Sequence, residues 1–154
     1  MERKTKIQAE EGKQQLTITR EFELPLELLF KAYEDPEIVE QWMGTKVLKL
    51  ENKKHGNWCF ETSAPDGTVI FRASGVYHEF IPQKRITRTF EMDPSPFDVQ
   101  LEFFEFEKLT ENTSKLTMQI VYRSIGLRDQ MLQLPFAAGL NMAHDRLEQL
   151  LKKD

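Results

Sequence analysis

The chain has 154 residues, which is the length of one domain, and a formal net charge of −4. Hydrophobic residues make up 40% of it and include 11 Phe, enough to build a substantial core. Charged residues make up 30%, a normal share for a folded soluble surface. The mild negative charge and the lack of a Lys/Arg cluster argue against nucleic acid as a partner.

The N-terminal residues and the cysteine content bear on where the protein works. Residues 1–15 are polar and lack the apolar segment of a signal peptide. No apolar stretch is long enough to cross a bilayer. Cys59 is the only cysteine, so no disulfide forms within the chain, and its apolar neighbours favour a buried, unreactive thiol. We expect a cytoplasmic protein that does not insert into membranes.

The first predicted elements are a strand and two short helices. Residues 1–15 read as a flexible lead-in with at most a partial strand, and residues 16–22 read as the first full strand. Pro25 suits the first position of a helix. The pair Asp35-Pro36 repeats this start signal for a second helix, which Gly44 ends.

Strand signals dominate from Val47 to Tyr122. The apolar residues of one strand change phase near Phe103-Phe104, which predicts a bulge there or a strand buried on both faces. Five polar turns, of which Pro65-Asp66-Gly67 is the clearest, divide the run into antiparallel strands. The turns are predicted at residues 51–56, 65–67, 81–83, 93–96 and 111–112.

The last predicted element is a long amphipathic helix that begins near Pro135, after a shorter helical turn near residues 127–133. Its apolar residues recur at steps of four and three, which gives one continuous stripe. Helices grouped outside a run of hairpin-linked strands indicate an α+β fold, with a curved antiparallel sheet wrapped around the long C-terminal helix. The stripe consists of Phe136, Leu140, Ala143, Leu147 and Leu150.

Three segments resemble a known family: ITREFELPLELLFKAYEDPEIVEQWMG, APDGTVIFRASGVYHEFIPQKRITRTF and AAGLNMAHDRLEQLLK. The family is named for the activator of the heat-shock-protein-90 ATPase. It belongs to the START-like, helix-grip superfamily, also called SRPBCC, which includes the birch pollen allergen. The resemblance implies a single START-like domain over residues 16–152. The family usually has two adjacent Trp where this chain has Trp42-Met43, so one wall of any pocket is expected to differ.

The residue types that usually supply catalysis or bind metals form no recognisable set. His55, His78 and His144 lack metal-ligand spacing. His144 and Asp145 are neighbours in a helix and therefore point in different directions. The chain has no glycine-rich phosphate loop and no G-x-S-x-G elbow. The sequence predicts no catalytic residue, no metal and no cofactor.

The aromatic-rich interior is the remaining candidate for a site. A packed core is one interpretation of these side chains. The other is an incompletely filled space between sheet and helix that binds a small apolar molecule, with His78, His144 or Arg88 orienting a polar group. The predicted lining is Trp58, Phe60, Phe71, Tyr77, Phe90, Phe104, Met118, Phe136, Leu140 and His144.

The leading hypothesis is a non-catalytic module that holds a small hydrophobic ligand, with the role in stress responses that the resemblance implies. The first alternative, implied by the family name, is a co-chaperone-like domain whose partner is a chaperone or another protein. The second is a cyclase- or dehydratase-type enzyme of the same superfamily. Such an enzyme requires at least two titratable side chains that converge inside the cavity.

Overall fold

The structure is a computed structural model that describes residues 3–94 and 97–152. Ser95 and Pro96 of the predicted loop at residues 93–96 lie outside the described residues, as do residues 1–2 of the predicted lead-in. The described part contains eight strands and four helices. In chain order these are β1 Lys6–Gln8, β2 Gln15–Phe22, α1 Leu26–Glu34, α2 Pro36–Met43, β3 Lys46–Leu50, β4 Asn57–Ser63, β5 Val69–Ile81, β6 Arg85–Asp93, β7 Gln100–Lys108, β8 Ser114–Val121, α3 Ile125–Gln133 and α4 Phe136–Leu151.

The strands form one open, curved antiparallel sheet in the order β1-β2-β8-β7-β6-β5-β4-β3. Strands β3 to β8 follow each other as hairpins, and β2 pairs with β8 to complete the sheet. Helix α4 has 16 residues, a length of roughly 24 Å, and buries His144, Leu147 and Glu148. The predicted α+β architecture, with a curved sheet around a long C-terminal helix, is confirmed. No described helix is long and apolar enough to cross a membrane.

The two short helices begin and end close to the predicted residues. The side chain of Asp35 accepts a hydrogen bond from the Glu37 amide at 2.9 Å and so caps α2, with Pro36 as the first helical residue. Gly44 ends α2 in the left-handed conformation, at a φ of 65°. Pro25 lies at the N-cap of α1 rather than at its first helical position, a difference of one residue.

The N-terminal segment contributes an edge strand. Residues 6–8 pair with β2, and Thr5 just before them is buried. The partial strand that the sequence allowed within residues 1–15 is therefore β1. The division of the chain into a lead-in and a domain over residues 16–152 stays a prediction.

Strand β7 does not contain the predicted bulge. Its pairing with β6 and with β8 is continuous through Phe103 and Phe104. The residues that face the interior are Gln100, Glu102, Phe104 and Phe106, in regular alternation. The apolar pattern changes phase in the sequence because two polar side chains, Gln100 and Glu102, occupy inward positions. The prediction had expected hydrophobic side chains at such positions.

One end of the concave face is closed by helix α1. The Phe30 ring packs edge-on against Phe80, with centroids 5.5 Å apart, and against Phe106 at 4.9 Å. Tyr77 packs on Phe80 at 5.1 Å. We call these four residues the aromatic end. Edge-to-face contacts of this kind are favourable beyond the area they bury. The rest of the concave face lies beneath α2, α3 and α4.

Candidate ligand-binding cavity

A cavity of about 430 Å³ lies between the concave face of the sheet and the helices α2, α3 and α4. Strands β4 to β8 supply its floor, because alternate residues of each strand point toward the helices. Nine of the ten side chains predicted to lie there are in its lining, and their role in ligand binding stays a prediction. They are Trp58, Phe60, Phe71, Phe90, Phe104, Met118, Phe136, Leu140 and His144.

Tyr77 is the tenth predicted residue, and it does not line the cavity. Its side chain is on the concave face, but it belongs to the aromatic end, where Phe80 and Phe30 occupy the space in front of it. The sequence predicted the correct face of β5. It could not show how far along the strand helix α1 covers that face.

His78 and Cys59 also differ from expectation. His78 is exposed on the outer face, with its ring 6.5 Å from that of His55, so it cannot orient a ligand in the cavity. Cys59 is only half-buried, because the neighbouring positions Trp58 and Phe60 take the inward face of β4. Within residues 3–94 and 97–152, no group of three His, Cys, Asp or Glu side chains could hold a metal.

A buried ion pair lies in the floor of the cavity. Arg88 and Glu102 are opposite each other on β6 and β7, and Arg88 Nε donates to Glu102 Oε1 at 2.8 Å. Gln100 Nε2 donates to the second carboxylate oxygen of Glu102 at 2.9 Å. Burial disfavours the charge of Arg88, but Glu102, Tyr77 and Tyr33 together favour it, and the pKa of Arg88 is raised. The guanidinium therefore keeps its charge, with the Glu102 carboxyl group beside it as its partner.

The Arg88 guanidinium also rests on aromatic rings. Its central carbon is 4.3 Å from the ring centre of Trp58 and 4.9 Å from that of Phe104. Cation–π contacts of this kind are strongest where water is excluded. Arg88 was one of three residues predicted to orient a polar group of a ligand. The structure places it in the cavity lining but already engaged by Glu102 and the rings.

His144 lies beneath α4 with one ring nitrogen occupied. Its Nδ1 is 2.8 Å from the hydroxyl oxygen of Thr5, and both residues are buried. Its Nε2 has no hydrogen-bond partner among the described residues. Burial and the nearby charge of Arg20 lower the pKa of His144 to about 3, and Asp145 opposes the shift only in part. The ring is therefore neutral at physiological pH.

Two tyrosines in the lining are neutral as well. Burial raises the pKa of Tyr33 above its usual range, and burial together with Glu102 does the same for Tyr122. The Tyr122 hydroxyl is buried and has no hydrogen-bond partner within the described part of the chain. Buried polar atoms are nearly always hydrogen-bonded in folded proteins. Tyr122 and His144 thus each contain a buried polar atom without a partner among the described residues, and both residues belong to the cavity lining.

Several lining residues were missed by the sequence reasoning. Gln100, Glu102 and Tyr122 are polar, and only their position on the inward face of β7 and at the end of β8 places them here. Helices α2 and α3 contribute Trp42 and Met131. The sequence signal that could have found Gln100 and Glu102 was their alternation with Phe104 and Phe106. Using it required the assumption that two polar side chains point into the interior.

Trp42 and Met43 form the part of the cavity wall that helix α2 contributes. The indole nitrogen of Trp42 donates to the carbonyl oxygen of Ala32 at 2.7 Å and holds α2 against α1. Met43 lines the cavity beside Trp42, at the wall where the sequence predicted a difference. A thioether chain is narrower and more adaptable than an indole, so it leaves more space at this wall.

A curved antiparallel sheet that grips a long C-terminal helix over an apolar cavity defines the START-like, helix-grip class of domains. The chain belongs to the family described as Activator of Hsp90 ATPase homolog 1-like protein, whose sequence model matches residues 23–152. The comparison with curated proteins gave no match.

Solved structures share the fold at low sequence identity. A crystal structure of a Rhodobacter sphaeroides protein is 19% identical, with a TM-score of 0.86 over 97% of this chain and 98% of that one. A Mycobacterium smegmatis protein is 18% identical, with a TM-score of 0.84 over 97% and 98% of the two chains. An Arthrobacter aurescens solution structure is 18% identical, with a TM-score of 0.83 over 97% and 92%. At such identities the likeness shows the fold alone.

Proposed function

We propose that this domain is a non-catalytic module that binds a small hydrophobic ligand in the cavity between the sheet and α4. The observation that carries the proposal is the cavity itself, whose volume of about 430 Å³ falls within the range typical of small-molecule sites. Aromatic and methionine side chains dominate its lining. A core packed to normal density would leave only voids the size of a water molecule or smaller.

The polar groups of the cavity support binding with a defined orientation. Ligand sites are mostly apolar and contain a few placed polar groups that fix orientation. Here those groups are Arg88, Tyr122 and His144, which lie on β6, β8 and α4. A ligand with a polar atom would regain the hydrogen bonds that the buried Tyr122 hydroxyl and His144 Nε2 lack.

The titratable groups favour binding over catalysis. A general acid or base works best when its pKa is near the working pH. The pKa of His144, about 3, is far below that range, and those of Tyr33 and Tyr122 are far above it. Arg88 is tied to Glu102. These groups do not form the convergent acid–base pair that the cyclase or dehydratase alternative requires.

The same proposal assigns the module to the cytoplasm and to a stress-related process. Its support is the family description, which names an activator of a heat-shock chaperone's ATPase, together with the composition of the chain. A chaperone or another protein is the alternative partner on the same ground.

A thermal-shift screen against neutral apolar molecules, lipids and aromatic metabolites tests the proposal. A ligand at about 100 times its Kd should add about 2.7 kcal/mol to the free energy of unfolding and raise the Tm by several degrees. Hits are then titrated with N-phenyl-1-naphthylamine as a displaceable fluorescent probe.

A matched pair of variants on α4 locates the binding. Ala143 lines the cavity, whereas Met142 is 61% exposed. Ala143→Phe should therefore weaken probe binding at least about tenfold, and Met142→Phe should leave it unchanged. A blank screen with the wild-type protein would contradict the proposal and turn attention to a protein partner, with chaperone pull-downs as the next step. Equal binding by both variants would place the probe outside the cavity.

A further inference from the structure

We infer that the cavity selects an uncharged ligand with a hydrogen-bond acceptor oxygen, and that Thr5 sets this preference by holding His144 as a donor. The selectivity is a property of the proposed binding site and therefore rests on the proposed function. Thr5 precedes the residues matched by the family, 23–152. The inference thus assigns a positioning role to a residue of the N-terminal segment, 139 positions from the ring it contacts.

Thr5 is fixed between helix α4 and the edge of the sheet. Its backbone amide donates to Asn141 Oδ1 on α4 at 3.0 Å, and its hydroxyl lies 2.8 Å from His144 Nδ1. The adjoining strand β1 pairs with β2, which fixes the segment against the sheet. Thr5 is only 4% exposed. Two hydrogen bonds and a paired strand therefore hold this hydroxyl beside the ring.

Arg20 bears on the direction of the Thr5–His144 hydrogen bond. Arg20 Nη1 is 3.2 Å from the Thr5 hydroxyl oxygen, and a guanidinium can only donate. The hydrogen bond from Arg20 therefore occupies a lone pair of Thr5 Oγ1. The hydroxyl hydrogen has no other hydrogen-bond acceptor among the described residues, so we assign it to His144 Nδ1, which then acts as acceptor. A neutral imidazole that accepts at Nδ1 carries its proton on Nε2.

His144 Nε2 is a buried atom without a partner. His144 is 1% exposed and belongs to the cavity lining, and its Nε2 has no hydrogen-bond partner among the described residues. With the proton on Nε2, this atom is a donor that requires an acceptor. The Tyr122 hydroxyl in the same lining is also without a partner in the described part of the chain, and it can donate too. An acceptor oxygen on the ligand would satisfy either atom.

The cations in and near the cavity are already paired with carboxylates. Arg88 is the only cation among the described lining residues, and Glu102 neutralises it at 2.8 Å. Arg20, behind His144, is paired with Asp145 at 2.8 Å and with Glu148 at 3.2 Å. A ligand carboxylate would lose its hydration without meeting an unpaired cation, and it would approach Glu102. A neutral carbonyl, ether or hydroxyl oxygen avoids that cost.

The tautomer of His144 is measured on the ligand-free protein, so the result does not depend on ligand binding. In long-range ¹H–¹⁵N NMR spectra, wild-type His144 should show the proton on Nε2. Thr5→Ser keeps the hydroxyl and should give the same pattern, whereas Thr5→Val should give mixed or reversed protonation. A proton on Nδ1 in the wild-type protein would overturn the role of Thr5, and so would an unchanged pattern in folded Thr5→Val.

Ligand preference is measured with three probes of similar shape. These are 2-acetylnaphthalene, which is a neutral ketone, 2-ethylnaphthalene, which has no acceptor, and 2-naphthoate, which is charged. The ketone should bind about 3- to 10-fold more tightly than 2-ethylnaphthalene, the effect of one hydrogen bond. It should also bind more tightly than the carboxylate. Thr5→Val and His144→Phe should reduce the ketone's advantage over 2-ethylnaphthalene to what the Tyr122 hydroxyl still contributes, and Thr5→Ser should retain it in full.

Tightest binding of the carboxylate would overturn the preference for an uncharged ligand. Equal affinity for ketone and hydrocarbon would overturn the requirement for an acceptor. If none of the three probes binds while His144 carries its proton on Nε2, the proposed function fails and the positioning role of Thr5 stands. If the probes bind but the tautomer is wrong, the proposed function stands and the role of Thr5 fails.

Discussion

The two ends of the concave face have similar aromatic composition but differ in packing. At the aromatic end, helix α1 inserts Phe30 between Phe80 and Phe106, at 5.5 and 4.9 Å. At the other end, rings such as Trp58 and Phe90 surround a cavity of about 430 Å³. There α4 presents the small side chain of Ala143, and the floor contains an ion pair. The helix that faces the sheet, rather than its aromatic content, decides whether the face is packed or hollow.

The largest expected effect of a substitution is at the aromatic end. Phe30→Ala should lower the free energy of unfolding by about 4 kcal/mol, because it leaves a cavity among rings that are already packed. Leu140→Ala at the cavity should cost less, about 1–2 kcal/mol, because Leu140 is half-buried beside existing space. Urea unfolding of both variants gives the comparison. Equal losses would contradict the distinction between a packed end and a hollow one.

The ion pair in the cavity floor should have the next largest effect. Glu102→Leu leaves Arg88 buried without its counter-charge and should destabilise by about 3 kcal/mol. The double variant Arg88→Met/Glu102→Leu should recover most of this loss, because no unpaired charge remains. Arg72→Met at the exposed pair with Glu61 serves as the control and should change stability little. A double variant as unstable as Glu102→Leu alone would show that the loss does not arise from an unpaired charge.

The pH dependence of stability reports on His144. Its pKa falls from 6.5 in the unfolded chain to about 3 in the folded one, so the unfolded state binds the extra proton as pH falls. The contribution is fully present above about pH 6.5 and declines below it. Between pH 7.5 and 5 we expect a loss of about 2 kcal/mol, measured by urea unfolding.

His144→Phe removes this titration and should flatten the profile over the same range. The charged groups that act on the ring are Arg20, which lowers its pKa, and Asp145, which opposes the shift. Exposed His78 gives the control variant His78→Phe, which should keep the wild-type slope. A wild-type profile without this slope would contradict a neutral, buried His144.

The smallest expected change in stability is that of Ala143→Phe. Its ring would enter existing space rather than displace packed neighbours, so the free energy of unfolding should change by less than about 1 kcal/mol. The comparison is a substitution of Ala32, which is fully buried in the packed interface of α1. Ala32→Phe should destabilise by about 3 kcal/mol. Urea unfolding separates the two, and a large loss in Ala143→Phe would argue that the space at α4 cannot accept a ring.

Much of the architecture could be predicted because hydrophobic residues recur at regular spacing in the strands and helices that pack against other apolar side chains. Strand β8 alternates cleanly at Leu116, Met118 and Ile120, and all three face the interior. The stripe of α4 places Leu140 and Ala143 in the cavity lining. These patterns depend on a residue's own element, so a single sequence reveals them.

The polar part of the site could not be predicted, because each member depends on a partner in another element. Glu102 is acceptable inside only because Arg88 lies opposite it on β6, and that register is known only from the folded sheet. Thr5 and His144 meet although they are at opposite ends of the chain. Tyr77 was assigned to the correct face, but its position beneath α1 depends on how that helix docks.

The location of a bound ligand tests the central claim most directly. With ¹³C-labelled methionine methyl groups and 2-acetylnaphthalene, intermolecular NOEs report which side chains touch the probe. Met118 and Met131 line the cavity, and exposed Met142 provides a control within the same sample. The account predicts NOEs to Met118 and Met131 and none to Met142. NOEs to Met142 alone, or saturable binding without NOEs to any of the cavity methionines Met43, Met92, Met118 and Met131, would contradict a ligand site between the sheet and α4.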